Sequence, residues 1–163
     1  VWLPSSPVHQ ETTHPYGTSP ALDALWSTEQ VELAHDGFEA TRLEKIRALT
    51  EVPAAMRWLR VCQAGGSDYN CGRCEKCLRT MVELHILGAL DRCRTLPGEL
   101  DPQVVSRAGL SPISRPYWEE SLRHLEQSGD ASLAQAVRAA LGRRRGPRLR
   151  RRLRRELRRR RLR

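Results

Sequence analysis

Three thiols, Cys71, Cys74 and Cys77, fall at C-x2-C-x2-C spacing, and a fourth, Cys62, precedes Cys71 across eight intervening residues. Four thiolates at short spacing suit a tetrahedral site for a soft metal, with zinc as the ordinary occupant. Gly65 and Gly66 lie between the first two ligands, where they let the backbone fold back without a Cβ penalty. The chain holds five cysteines in all, and four of them crowded into one loop read as a metal site rather than as unligated thiols. An iron–sulfur cluster is the alternative occupant. The ferredoxin run also opens C-x2-C-x2-C, but its next ligand follows a three-residue gap and is itself followed by Pro. Met81 and Val82 stand at those positions, so a cluster here would have to use Cys62.

The fifth thiol, Cys93, follows an apolar stretch that reads as a helix over 78–87, with Leu78, Met81, Val82 and His85 at helical spacing and Gly88 as the break. A rise of about 1.5 Å per residue puts the far end of such a helix roughly 14 Å from Cys77. On that reasoning Cys62 is the fourth ligand and Cys93 is a lone buried or half-exposed thiol. His85 reads as a packed or surface histidine rather than a ligand.

The elements that must position these thiols can be read in part. Val1 to Pro4 resembles the end of a strand. Residues 4–20 read as a long loop rich in Pro, Ser, Thr and His, containing His9 and His14, and loops this long are usually functional or disordered. Ser19 followed by Pro20 starts a helix carrying Leu22, Leu25 and Trp26 on one face. Val31 to His35 alternates as a strand does and stops at the turn signal Asp36-Gly37. Thr41 with Glu44 is a capping box, so a helix is expected from Thr41 to about Thr50, with a second from Pro53 through Trp58. Residues 91–116 read as irregular. Two amphipathic helices follow, from about Tyr117 to Gln127 and from Ala131 to Leu141. The order of strands and helices fits an α/β layer architecture, with too few strands to complete a sheet.

Charge is unevenly spread. Residues 143–163 contain 14 Arg and one Glu, a charge of +13; against a total of +9 for the 163 residues, this leaves the first 142 at −4. The body is therefore mildly acidic and the basicity is local. The tail is low in complexity, with Leu149, Leu153 and Leu157 every four residues. Its like charges repel, so it is expected to be unfolded without a polyanion. It serves either as an arm for nucleic acid or anionic lipid or as a tolerated compositional extension. No apolar run is long enough to span a bilayer, and the thiol content fits a reducing cytoplasm better than a disulfide scaffold.

Three stretches, taken in order, resemble a known family: the loop leading into Pro15, Tyr16, Gly17 and Asp23; the strand ending at His35, Asp36 and Gly37 with Thr41, Arg42, Glu44, Lys45 and Ile46 after it; and the run from Cys62 through Asn70 to Cys77. Together they look like the C-terminal half of a PP-loop ATP pyrophosphatase, most similar to the 7-cyano-7-deazaguanine synthase group, as an uncharacterised branch. The resemblance covers about residues 1–92. It implies a partial Rossmann-like α/β fold, mostly helical in these residues, with a four-cysteine zinc loop at 62–77. It divides the chain into a PP-loop-like portion (1–100), a helical extension (101–142) and the Arg-rich tail (143–163).

The same resemblance implies an ATP-dependent, AMP-forming, ligase-like activity for the full-length protein. Zn2+ is held by Cys62, Cys71, Cys74 and Cys77. His14, Tyr16, Asp23, Asp36, Arg42 and Lys45 are the candidate contacts to a small-molecule substrate of unknown identity. ATP with Mg2+ would require the family's Ser-Gly-Gly-x-Asp-Ser loop, which residues 1–163 lack. Gly65-Gly66-Ser67-Asp68 echoes it from within the metal loop, where it reads as loop flexibility. Arg42 and Lys45 stand near a helix start, where cations are disfavoured; this signals either a bound phosphate or carboxylate or, on the preferred reading, simply an exposed face. The rival reading is a non-enzymatic zinc knuckle that engages nucleic acid with the Arg-rich tail, for which Tyr69 and Trp58 are the aromatics near the cysteines.

Overall fold

The computed structural model describes residues 1–4, 20–37, 39–62 and 69–143. The loop at 5–19 with His9, His14 and Tyr16, the Gly65–Asp68 stretch and the Arg-rich residues from 144 onward lie outside the described residues. The order is β1 (Trp2–Pro4), α1 (Pro20–Asp23), a 3-10 turn (Ala24–Trp26), β2 (Ala34–Asp36), α2 (Arg42–Thr50), α3 (Pro53–Trp58), α4 (Glu75–Ile86), a 3-10 turn (Leu90–Arg92), α5 (Pro102–Ser106), α6 (Arg115–Ser128) and α7 (Ala131–Gly142). The described residues are mostly helical.

β1 and β2 pair in parallel, with Trp2 opposite Ala34, Leu3 opposite His35 and Pro4 opposite Asp36. A parallel pair requires a crossover connection, and α1 lies within it. No larger sheet occurs among the described residues. The strand expected from Val31 begins three residues later. Thr28 Oγ1 accepts from Gln30 N and Val31 N at 3.3 and 3.1 Å, and Ser27 Oγ accepts from Leu33 N at 3.0 Å. Those side chains divert the amides that a strand would have used. Leu22, Leu25 and Trp26 are exposed, and the helix expected to carry them on one face tightens into a 3-10 turn after Asp23.

The local signals around α2 hold in full. Thr41 Oγ1 accepts from Glu44 N at 3.2 Å, and Glu44 Oε2 accepts from Thr41 N at 2.7 Å. The helix expected at 78–87 starts at Glu75, so Cys77 stands on its first turn. The stretch expected to be irregular from 91 to 116 contains α5, capped by Asp101 Oδ1 accepting from Gln103 N at 2.7 Å.

α4 is the element that both cores share. Leu78 and Val82 face one cluster, with Val105, Trp118, Leu125, Leu133 and Val137. Cys77, Met81 and Leu84 face another, with Ile46, Met56, Leu90, Cys93 and Leu96. Three- and four-residue spacing puts each set on its own stripe of the helix. The helices after residue 100 thus pack on the helix that leaves the metal loop. No helix among the described residues is long and apolar enough to cross a membrane.

Candidate metal centre

The Sγ atoms of Cys62, Cys71, Cys74 and Cys77 all lie within 4.8 Å of one another. Cys62 to Cys74 and Cys71 to Cys77 are each 3.9 Å, and Cys74 to Cys77 is 3.4 Å. Sulfurs about 2.3 Å from one tetrahedral ion stand about 3.8 Å apart. The four sulfurs are therefore gathered at the separation that a single ion requires. A cluster would interpose irons and sulfides and spread the thiolates further apart. Cys77 is fully buried and the other three are half-buried.

Local chemistry explains the gathering. Cys74 is the N-cap residue of α4, yet its side chain makes no capping bond; its own amide donates to Cys71 Sγ at 3.3 Å. The positive end of the helix dipole therefore abuts the sulfurs, an arrangement that favours thiolate. Gly72 turns the knuckle at φ +65, and a Cβ there would stand 2.7 Å from Pro97 Cγ. Both the left-handed backbone and the close approach of Pro97 require glycine. Amides of Arg73 and Cys74 pull the Cys71 thiol down to about 6. Burial pushes the Cys74 and Cys77 thiols up. Ionising all four at once needs a bound cation to offset the desolvation and mutual repulsion.

Cys93 is buried outside this group, 3.6 Å from Thr95 Oγ1. Helical rise is not what excludes it. The chain doubles back after Gly88, so that Arg94 N donates to Met56 O at 3.1 Å and Pro97 reaches Gly72. Cys93 instead points into the apolar cluster beneath the sulfurs. His85 lies on α4, with Nε2 2.9 Å from Asp130 Oδ2, away from the four thiols.

The remaining sequence candidates do not converge with the thiols. His14 and Tyr16 lie outside the described residues. Asp23 is buried and hydrogen-bonded to His35 Nε2, a partner that sequence reading did not single out. His35 Nδ1 is buried with no partner among the described residues. Asp36 is exposed at the end of β2. Lys45 lies against the Gly37 turn, 3.4 Å from where a Cβ on that glycine would be.

Arg42 is not on an open face. Its Nε donates to both Glu83 oxygens at 2.8 and 3.1 Å, and its Nη2 donates to Thr80 Oγ1 at 3.1 Å. The guanidinium leaves the α2 terminus for a buried carboxylate on α4, which answers the dipole objection. Burial pushes the Glu83 carboxyl up to about 7, against the pull of Arg42. Arg42 and Arg79 both lie over the Tyr117 ring, 5.9 and 4.9 Å from its centroid. Sequence held no signal for this network, whose members are some forty residues apart.

The donor set, four thiolates on one loop and the first turn of a helix, can chelate one metal ion and leaves no ligand position for water or substrate. Compared with known proteins, the chain matches no family model, no curated protein and no solved structure.

Proposed function

We propose that the chain is the zinc-bearing C-terminal part of an ATP-dependent, PP-loop, ligase-like protein, and that its zinc is structural. The observation that carries the zinc is the convergence of four sulfurs within 4.8 Å. Soft thiolate donors in a closed tetrahedral set favour zinc, and such sites hold structure rather than perform catalysis. The ion ties the segment entering at Cys62 to the first turn of α4.

The ligase-like part rests on order and topology. A parallel strand pair with a crossover is followed by a capped helix and then by the thiolate loop, as in the family that the sequence resembles. In parallel α/β sheets ligands bind beyond the C-terminal strand ends. Asp36 stands at that end of β2, with Lys45 beside the turn that follows. These two are the foremost substrate contacts of the reading. Asp23 and Arg42 are held by His35 and Glu83 and act there as positioning residues, while His14 and Tyr16, outside the described residues, stay proposed substrate contacts of the same reading. The ATP cradle belongs to residues outside 1–163, and the chemistry is adenylation of a carboxylate or amide oxygen followed by displacement of AMP.

Elemental analysis of anaerobically purified protein should give about one zinc per chain; stoichiometric iron with broad visible absorption overturns the zinc. With the upstream residues restored, ATP and candidate substrates should yield AMP, and Asp36→Asn should lower turnover without releasing zinc. Pyrophosphate release by the 163-residue chain alone would sink the assignment.

A further inference from the structure

Beside the thiolate cluster lies an open groove of about 600 Å³ lined by Arg57, Trp58, Tyr69, Arg94 and Pro97. A second depression of about 420 Å³ shares Arg57 and Arg94 with it and adds Arg92. Clefts of this size take small ligands or single units of a polymer.

Hydrogen bonds converge on the floor of the groove. Asn70 Oδ1 accepts from Val61 N and Cys62 N at 2.9 and 3.1 Å, and its Nδ2 donates to Leu59 O at 2.8 Å. Thr95 Oγ1 donates to the same carbonyl at 2.6 Å, and Arg94 N donates to Met56 O at 3.1 Å. Three segments distant in sequence are thereby held as one surface. Cys93 turns into the core, and its neighbours Arg92 and Arg94 are exposed.

The residue types on this surface point to one ligand chemistry. Trp58 is 60% exposed and Tyr69 43%, although each ring could bury a large apolar area. Arg57 lies over the Trp58 ring at 5.3 Å and Arg60 over the Tyr69 ring at 5.4 Å. Among the described residues none of Arg57, Arg60, Arg92 and Arg94 has an ion-pair partner. Glu51 is the carboxylate that lines the second depression. Exposed rings interleaved with free guanidiniums match unpaired bases strung on phosphates: bases stack on the rings, and arginines take the phosphate oxygens.

We propose that this groove binds single-stranded nucleic acid, with bases stacked on Trp58 and Tyr69 and the flanking phosphates on Arg57, Arg92 and Arg94. A duplex keeps its bases stacked inside and offers the rings nothing. An acidic protein would meet the arginines and leave both rings unused. The inference does not rest on the ligase-like reading, and it places the binding surface in the acidic body rather than in residues 143–163. Zinc enters it by anchoring Cys71, next to Asn70 and Tyr69.

The test is fluorescence anisotropy of the full zinc-loaded chain with a labelled oligouridylate over a salt series. Trp58→Ala and Tyr69→Ala should each weaken binding about ten-fold, the loss of one stacked base, with zinc content and salt slope unchanged. Arg57→Ala and Arg94→Ala should each reduce the slope of log K against log salt by roughly 0.7. Unchanged affinity in both aromatic variants, or equal binding of a duplex, overturns the proposal and assigns the affinity to residues 143–163. Competition by polyglutamate as effective per charge as by oligouridylate also overturns it, in favour of an acidic protein surface. Photocrosslinking of a 5-iodouridine oligonucleotide to the unaltered chain needs no variant: adducts at Trp58 or Tyr69 support the groove, and adducts confined to 143–163 refute it.

Discussion

The two clusters that meet on α4 are built from different material. On one side Leu78 and Val82 meet Trp118, Leu125 and Val137 from the helices after residue 100. On the other, Cys77, Met81 and Leu84 meet Ile46, Met56 and Leu96, with Cys62, Cys71 and Cys74 packed at the margin. The first is a small helical core of long, mutually packed helices. The second is roofed by short segments, six-residue α3 and the loops at 59–62 and 69–74, which offer few apolar side chains of their own. Below a certain core size a chain needs a staple, and four converging sulfurs are able to form one around a metal ion. One region is packed by helix against helix, the other gathers four sulfurs able to chelate a metal ion, and both share α4.

The largest expected effect is on the ligated side. Structural zinc sites contribute on the order of 10 kcal/mol, so chelation or Cys74→Ser should release the metal and open the segment around residues 59–74 to protease, while α6 and α7 stay protected. Equal cleavage of α6 and α7 would show that the two clusters are one cooperative unit. Cys93→Ser should leave metal content intact; if it removes the metal while Cys62→Ser does not, the ligand set is wrong. Acid should act as chelation does. Burial holds protons on the Cys74 and Cys77 thiols until the metal displaces them, so affinity falls as pH falls.

A smaller effect is expected on the apolar side. Trp118 is fully buried, and its Nε1 donates to Glu75 Oε1 at 2.9 Å. Trp118→Ala should cost about 4 kcal/mol in urea unfolding while zinc stoichiometry stays at that of the parent chain. Concomitant loss of zinc would mean that the helical core is what holds the metal loop closed.

The smallest effect concerns the polar contact between α2 and α4. The Glu83 carboxyl titrates near 7 in the folded chain against 4.5 for the free side chain, with burial as the main cause. Between those values the folded state binds more protons than the unfolded one. This contribution is complete below about pH 4.5 and is lost as pH rises to about 7. Replacing Glu83 by Gln should flatten that part of the stability profile, by on the order of 3 kcal/mol across the window. Urea midpoints of parent and variant at pH 5 and pH 7.5 measure it. A parallel pair of profiles would show that Arg42 keeps the carboxylate ionised throughout.

The contrast also marks where sequence reading succeeded. The four thiols were legible because metal spacing is short-range: Cys71, Cys74 and Cys77 sit within two turns of chain, and a Gly-containing loop reaches back to Cys62. The capping box at Thr41 and Pro53 at the start of α3 were legible for the same reason, since each acts on backbone within a few residues of itself. The strand at 31–35 was misplaced where Ser27 and Thr28 took its amides, a local competition that alternation does not register. Cys93 lies outside the four-sulfur group, but not for the reason of helical rise, because the return of residues 94–97 toward Cys71–Cys74 depends on contacts with Met56 and Gly72.

By itself the sequence determined which four thiols lie close enough to share a metal ion, the larger helices and the capping box at Thr41, and the segregation of positive charge into the last residues. Only the tertiary structure decided that Arg42 answers Glu83, that Asp23 holds His35, and that Trp58, Tyr69 and three arginines line neighbouring depressions. Ligand spacing and caps are fixed by covalent geometry over a few residues. Ion pairs and grooves are fixed by where packed helices bring side chains from distant segments, and a one-dimensional pattern carries no record of that.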